Sequence, residues 1–378
     1  MKLFFLTGSR GEWGYIRPIL RLCQDREIEF RICATNMHLL AGFGLSMGEI
    51  EKDGFTVTDP LYMAFDGHNR FTMTKSMGVC LMGVVDAIMR DKPDWIILAG
   101  DRGEQLMGAV AGGFTYTPVA HIQAGELSGN IDGMTRHAIG KFVHMHFAAN
   151  EDAGQRLLKL GEEPFRVKVV GAPHLDELVQ GLYSTPERLQ ETYEVDGSKP
   201  YFLVVQHPVT EEYEEAETQI SITIQALKRF DMHKIWILPN NDAGSDMTRR
   251  GILKGRDTNT LVFKNLPRED YLGFLRHAKC IVGNSSSGLL EAPTFGVPAV
   301  NIGRRQSMRL RGANVIDVVD FNKDKIVAAI TRALTSGFRD AMRNIPSPYG
   351  DGKSSARILD ILDNTPRDSR LLVKQLTY

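Results

Sequence analysis

The chain has 378 residues, more than one ordinary core accommodates, which predicts two domains and a cleft. Lys and Arg total 45 against 46 Asp and Glu, so no basic field exists to hold nucleic acid or an anionic membrane, and any phosphate must be gripped locally. Four cysteines without CxxC spacing read as reduced core residues, and an amino-terminal apolar run of only four residues is too short for a signal segment, so a cytoplasmic protein is expected.

Short β-rich runs at 2–7, 29–34, 94–99, 118–122, 143–149 and 166–170 alternate with helical or glycine-punctuated stretches, the rhythm of a parallel sheet. A polar connector follows over 181–199. The rhythm then restarts at 201–206, 234–238, 260–263, 279–283, 298–302 and 313–318. Six strands in each half predict an α/β chain of two Rossmann-like, doubly wound domains, 1–180 and 200–363, facing one another across a central cleft. Helices near 323–336 and 353–363 close the second half, unless one of them crosses back to the first domain, and 364–378, polar with a small apolar patch, is a tail or an oligomer contact.

In open α/β sheets ligands gather beyond the carboxyl ends of strands, so the polar residues at each exit are the candidate site. The first strand exits into Thr7-Gly8-Ser9-Arg10-Gly11-Glu12-Trp13-Gly14, whose glycines are spaced Gly-x-x-Gly-x-x-Gly. That is not the dinucleotide fingerprint, so no nicotinamide cofactor is expected. Arg10 faces a phosphate as a fork donor or simply holds the loop. The third strand ends at Asp101-Arg102, and the fourth at Glu126, with Asp132 and Arg136-His137 following. Carboxylates crowded at one place have separated pKa values, as a site needs if one group removes a proton and another delivers one. The plain alternatives are a helix cap for Asp101, a solvated loop acid for Glu126, and an i,i+4 partner of Arg136 for Asp132.

In the second half, Pro208 stops a strand directly after His207, which leaves that imidazole at the domain edge as a donor or acid. The next strand exits at Asn240 and Asp242. Residues 279–303 then read as strand, turn, helix start and strand, with Ser285, Ser286, Ser287 and Gly288 at the turn. Small hydroxyls at a helix N-terminus suit a phosphate, and Glu291, one turn on, suits the two hydroxyls of a ribose; together they suggest a nucleoside diphosphate. The alternative is a plain helix cap with a solvated first-turn acid. A serine hydrolase needs Gly-x-Ser-x-Gly, whereas Gly283 and Gly288 enclose four residues. His144-x-His146 shares one strand face without a third ligand, so it is assigned to packing, and no metal is expected.

With Gly8-Ser9-Arg10, Gly100-Asp101-Arg102, Gly125-Glu126, Arg136-His137, Gly171-Ala-Pro-His-Leu-Asp176, Gln206-His207-Pro208, Asn284-Ser-Ser-Ser-Gly288 and Arg311-Gly-Ala-Asn314, the chain resembles the hydrolysing UDP-N-acetylglucosamine 2-epimerases to about residue 360. The resemblance implies the glycosyltransferase-B arrangement, a homodimer, no cofactor, and a nucleotide-sugar substrate that loses UDP by anti elimination to 2-acetamidoglucal and gains water by syn addition. It implies proton transfer by Asp132 with Asp101 and Glu126, leaving-group stabilisation by His207, and UDP held by Arg10, Ser286, Ser287 and Glu291. This chain departs from the family at Ala124 and at Gly133, where an acid pair loses its second member. Altered sugar specificity follows as an alternative, namely UDP- or GDP-linked 2,4-diacetamido-2,4,6-trideoxyglucose. A non-hydrolysing epimerase, a glycosyltransferase and a non-catalytic sugar-nucleotide sensor are the remaining readings.

Overall fold

The computed structural model describes all residues except 44, 66–69, 129–130, 197–198, 241, 343–346 and 378. The chain divides into two compact units, one of Met1–Leu127, Ile131–Glu177 and Tyr349–Tyr378, the other of Leu178–Pro348 with residues 128–130.

The first unit holds a parallel sheet of seven strands: β1 (Lys2–Thr7), β2 (Glu29–Thr35), β3 (Asp59–Leu61), β4 (Trp95–Ala99), β5 (Val119–Ile122), β6 (Met145–Ala148) and β7 (Val167–Val169). Their order is β3-β2-β1-β4-β5-β6-β7. The expected six were one short. Strand β3 is only Asp59-Pro60-Leu61, without alternation to betray it, and Pro60 is tolerated because β3 lies at an edge. Phe5, Trp95, Ile97 and Phe147 are fully buried and form part of one core, each contributing about 1.5–3 kcal/mol relative to exposure.

The second unit holds six parallel strands: β8 (Tyr201–Val205), β9 (His233–Ile237), β10 (Thr260–Phe263), β11 (Cys280–Gly283), β12 (Ala299–Ile302) and β13 (Val315–Val318). They are ordered β10-β9-β8-β11-β12-β13. Both sheets are α/β and doubly wound, as expected. Strand order reverses between β1 and β4 in one and between β8 and β11 in the other, and such reversals open the crevices where ligands bind in this class of sheet.

The expected connector over 181–199 contains a helix, Pro186–Tyr193, capped by Thr185, whose hydroxyl accepts from the Arg188 N–H. Residues 197–198 of that connector lie outside the described set. Residues 349–378 group with the first unit, whereas 200–363 was expected as one domain and 364–378 as a tail. Asp176 accounts for the return: its carboxylate accepts the backbone N–H groups of Ser354 (3.0 Å) and Ser355 (2.7 Å), capping the helix Ser354–Asn364. That helix then buries Ile358, Leu359 and Leu362 in the first core.

Among the described residues one helix, Phe71–Asp91, is long and apolar enough to cross a membrane by length and composition alone. Its Cys80, Val84, Ala87 and Ile88 are buried with Phe4, Leu6 and Leu98 of the sheet, while Phe71, Met82 and Met89 are exposed. The four cysteines are buried and free.

Candidate active site

The β1/β4 crevice is built first by a capping box. Ser9 caps the helix Arg10–Asp25, its hydroxyl accepting from the Glu12 N–H, while the Glu12 carboxylate reaches back to the N–H groups of Gly8 and Ser9. Burial pushes the Glu12 carboxyl well above its ordinary value, and the neighbouring Glu104 carboxylate pushes the same way. Arg10 is the first residue of that helix and half-buried. Burial lifts the Glu49 carboxyl to about 7 although the charge of Arg10 opposes it.

Strand β4 ends at Gly100, whose carbonyl accepts from the buried ring of His121 at 2.6 Å. Asp101 follows, and its carboxylate pairs with the guanidinium of Arg136. Arg136 is buried and also donates to the Gln123 carbonyl at 2.6 Å. The helix Ile131–Phe142 that carries Arg136 has Asp132 in its first turn, half-buried, and His137, whose imidazole is lowered by burial and by Arg136. Asp101, Arg136 and the helix of Asp132 are thus joined at neighbouring strand ends.

Glu126 is 3% exposed, so it is not a solvated loop acid; Asn150 donates to it at 3.2 Å. The turn leading to it is tight. Gly125 has φ +76, and a Cβ there would stand 2.5 Å from the Ala153 carbonyl oxygen. Gln123 takes φ +64 without being glycine, and its buried amide oxygen and nitrogen have no hydrogen-bond partner. No spacing rule flags such a residue. Only a strained backbone and an orphaned amide single it out.

In the second unit the β8 and β11 exits are tied by one side chain. Asn284 accepts from the His207 N–H at 2.7 Å and donates to the His207 carbonyl at 2.8 Å. Strand β11 approaches β8 so closely at Gly283 that a Cβ would lie 2.2 Å from the Val205 carbonyl oxygen. The His207 ring accepts from the Asn240 N–H through Nδ1 at 3.1 Å, so the neutral imidazole carries its proton on Nε2. Asn240 in turn donates to Asp242 at 2.5 Å. His207, Asn240, Asp242 and Asn284 therefore form one connected cluster.

The helix that starts at the serine turn is short. Ser287–Leu290 is a single turn, ended by the approach to Pro293, so it has little macrodipole. Ser285 and Ser286 are half-buried and Ser287 is buried, with Gly288 inside the turn. Asn314 holds that turn by donating to the carbonyls of Gly288 (2.9 Å) and Val297 (3.0 Å). Glu291 is buried rather than solvated; it accepts from the Ser287 hydroxyl and pairs with Arg268, a cation that sequence reading missed because it lies 23 residues upstream at the head of the helix Arg268–His277. Among the described residues no group of three or more His, Cys, Asp or Glu is arranged to hold a metal. His144 accepts from the Val119 N–H at 3.0 Å, and His146 bonds Glu162 at 3.0 Å.

Comparison with known proteins matches this chain over residues 21–363 to the family model of UDP-N-acetylglucosamine 2-epimerase. The UDP-N,N'-diacetylbacillosamine 2-epimerase (hydrolyzing) of Legionella pneumophila is 36% identical over 100% of this chain and 99% of its own. The UDP-N-acetylglucosamine 2-epimerase of Neisseria meningitidis serogroup B is 31% identical over 96% of this chain and 95% of its own. A crystal structure of UDP-GlcNAc 2-epimerase from Neisseria meningitidis bound to UDP-GlcNAc is similar in fold, with a TM-score of 0.83 at 19% identity, covering 97% of this chain and 100% of that one.

Proposed function

Because this chain belongs to the UDP-N-acetylglucosamine 2-epimerase family, we propose that it is an enzyme of the hydrolysing type, releasing UDP and a free 2-epimerised amino sugar. The observation that carries this reading is the pairing of Asp101 with Arg136 on the helix of Asp132, which concentrates proton-transfer groups at adjacent strand exits. Binding UDP alone would not need them.

In the proposed reaction Asp132 removes the C2 proton as the C1–O bond breaks, giving a C1=C2 double bond and expelling UDP. Asp101 and Glu126 share the proton traffic of this step and of hydration, in which water supplies hydroxyl to C1 and a proton returns to C2. Nε2–H of His207 and the hydroxyls of Ser285 and Ser286 stabilise the departing diphosphate together with Arg10, whereas the Ser287 hydroxyl is engaged by Glu291. Gly288 lets the serine turn pack onto the sheet, where a Cβ would stand 3.2 Å from the Ala299 Cβ, and Glu291, oriented by Arg268, accepts from the ribose hydroxyls. Arg136 and His137 in the first unit, and Asn240 and Asp242 in the second, are assigned to substrate binding.

Identity with the Legionella enzyme favours the UDP-linked 2,4-diacetamido sugar as substrate, and identity with the Neisseria enzyme supports UDP-N-acetylglucosamine as the second reading. Incubation of each in heavy water, followed by NMR, tests both: free sugar deuterated at C2 plus UDP is expected. Product still attached to UDP would replace the hydrolysing reading by the non-hydrolysing one. Homodimer assembly is part of the proposal, through the exposed Phe71, Met82 and Met89 of the helix 70–91 and Phe114 and Tyr116 beside it.

A further inference from the structure

The carboxy-terminal residues after the helix Ser354–Asn364 are fastened to the first unit by buried charge. Arg166, wholly buried, donates to the carbonyls of Leu371 (2.6 Å), Arg370 (2.7 Å) and Val373 (3.4 Å). Farther on, the Thr377 N–H donates to the Gly161 carbonyl at 2.9 Å. Between these anchors Lys374 turns inward, its side chain 14% exposed, and places its ammonium on the Glu162 carboxylate at 2.6 Å. Glu162 is itself buried and also takes Lys141 at 2.9 Å and the ring of His146 at 3.0 Å, a set of partners that holds its carboxyl far below the ordinary range against the cost of burial.

The same ammonium donates to the Gly140 carbonyl at 2.7 Å. Gly140 lies in the last turn of the helix Ile131–Phe142, where carbonyls lack intrahelical partners and a cation is favoured. One turn back on that helix is Arg136, fixed to Asp101 and to the Gln123 carbonyl; two turns back is Asp132. A general tail would need no half-buried, inward-turned lysine. Placing one costs side-chain entropy and desolvation, which only its two partners offset.

We propose that the tail is a latch and that Lys374 is a positioning residue: by capping the carboxyl end of the helix Ile131–Phe142 and neutralising Glu162, it sets the axial position of that helix and so the placement of Asp132 and Arg136. The catalytic part of this statement rests on the proposed epimerase reading; the structural part does not. Misplacement of reacting groups by a fraction of an ångström to an ångström is what such a latch prevents.

The test compares wild type with Lys374→Met and Lys374→Arg, by amide hydrogen exchange and by steady-state turnover of the UDP-linked sugar. In Lys374→Met, exchange over residues 131–142 is expected to rise roughly tenfold while residues 201–318 keep wild-type protection. Turnover (kcat) is expected to fall about tenfold with KM within about twofold, and Lys374→Arg to restore both exchange and kcat. Wild-type exchange over 131–142 in Lys374→Met overturns the latch, as does a protection loss spread evenly through the first unit. If wild type turns over neither UDP-linked sugar, the epimerase reading fails, while the exchange data still decide whether the latch exists.

Discussion

Arg136 and Asp101, 35 residues apart in the chain, form an ion pair in which the guanidinium is 1% exposed and the carboxylate 19%. The pair holds the exit of β4 against the helix that carries Asp132. Replacing Arg136 by Met removes the buried guanidinium from both Asp101 and the Gln123 carbonyl, so a loss of about 3 kcal/mol in folding stability is expected, together with lost turnover. Urea unfolding of the variant beside wild type measures it, and an unchanged midpoint would remove the pair from the account of the site.

Asp132→Asn preserves shape and removes the carboxylate proposed as the base. Turnover and deuterium incorporation at C2 should drop about 10²–10⁴-fold, with UDP affinity unchanged by calorimetry. Exchange at C2 persisting in the variant would move the role of base to Asp101 or Glu126.

Glu291→Gln leaves Arg268 with a neutral partner in a buried setting. On the proposed contact of Glu291 with the ribose, the UDP dissociation constant should rise about tenfold, a loss of ~1.4 kcal/mol, because a carboxylate is a stronger acceptor for hydroxyls than an amide. An unchanged constant would return Glu291 to a structural role.

Gly125→Ala forces a side chain into a left-handed conformation, with its Cβ 2.5 Å from the Ala153 carbonyl oxygen. The turn must shift, and Glu126 with it; a stability loss of roughly 1–3 kcal/mol and reduced turnover are expected. Thermal unfolding and the NMR assay read the two effects separately.

Burial lowers the imidazoles of His38 and His121 to about 3 and that of His144 to about 4. Each is neutral in the folded chain near neutrality, whereas the unfolded chain takes up protons on these rings below its ordinary value of about 6.5. The unfolded state then binds more protons, so stability rises with pH through this window and is lost on acidification from about 6.5 toward 3–4. The urea midpoint should be lower at pH 5.5 than at pH 7.5, reflecting an unfolding free energy smaller by on the order of 1 kcal/mol per histidine. A midpoint independent of pH over that range would contradict neutral burial of these rings.

Much of the architecture was legible in the linear chain because parallel strands buried on both faces are continuous apolar runs, and twelve such runs matched strands to within one or two residues. The edge strand β3 escaped for want of apolar length. Polar residues at strand exits were legible too, since strand direction dictates that β4, β5, β8 and β11 deliver Asp101, Glu126, His207 and Ser285 past their carboxyl ends.

Partner choice was not legible, because an ion pair or a cap is chosen by three-dimensional proximity and leaves no period in the sequence. The ion pairs of Arg136 with Asp101 and of Glu291 with Arg268 were not foreseen, since spacing offered Arg136 only Asp132 as a local partner and left a solvated first-turn acid as the alternative reading of Glu291; Asp176 stood in a recognised motif without a task until it met the N–H groups of Ser354 and Ser355. Local order in the chain settled where backbone strands begin and which chemical groups leave their ends, since both follow from nearest-neighbour sterics and hydrophobic period. Folding alone decided which charges neutralise one another, where the chain returns to its first sheet, and how Lys374 comes to rest on Gly140, because those outcomes depend on desolvation summed over segments hundreds of residues apart.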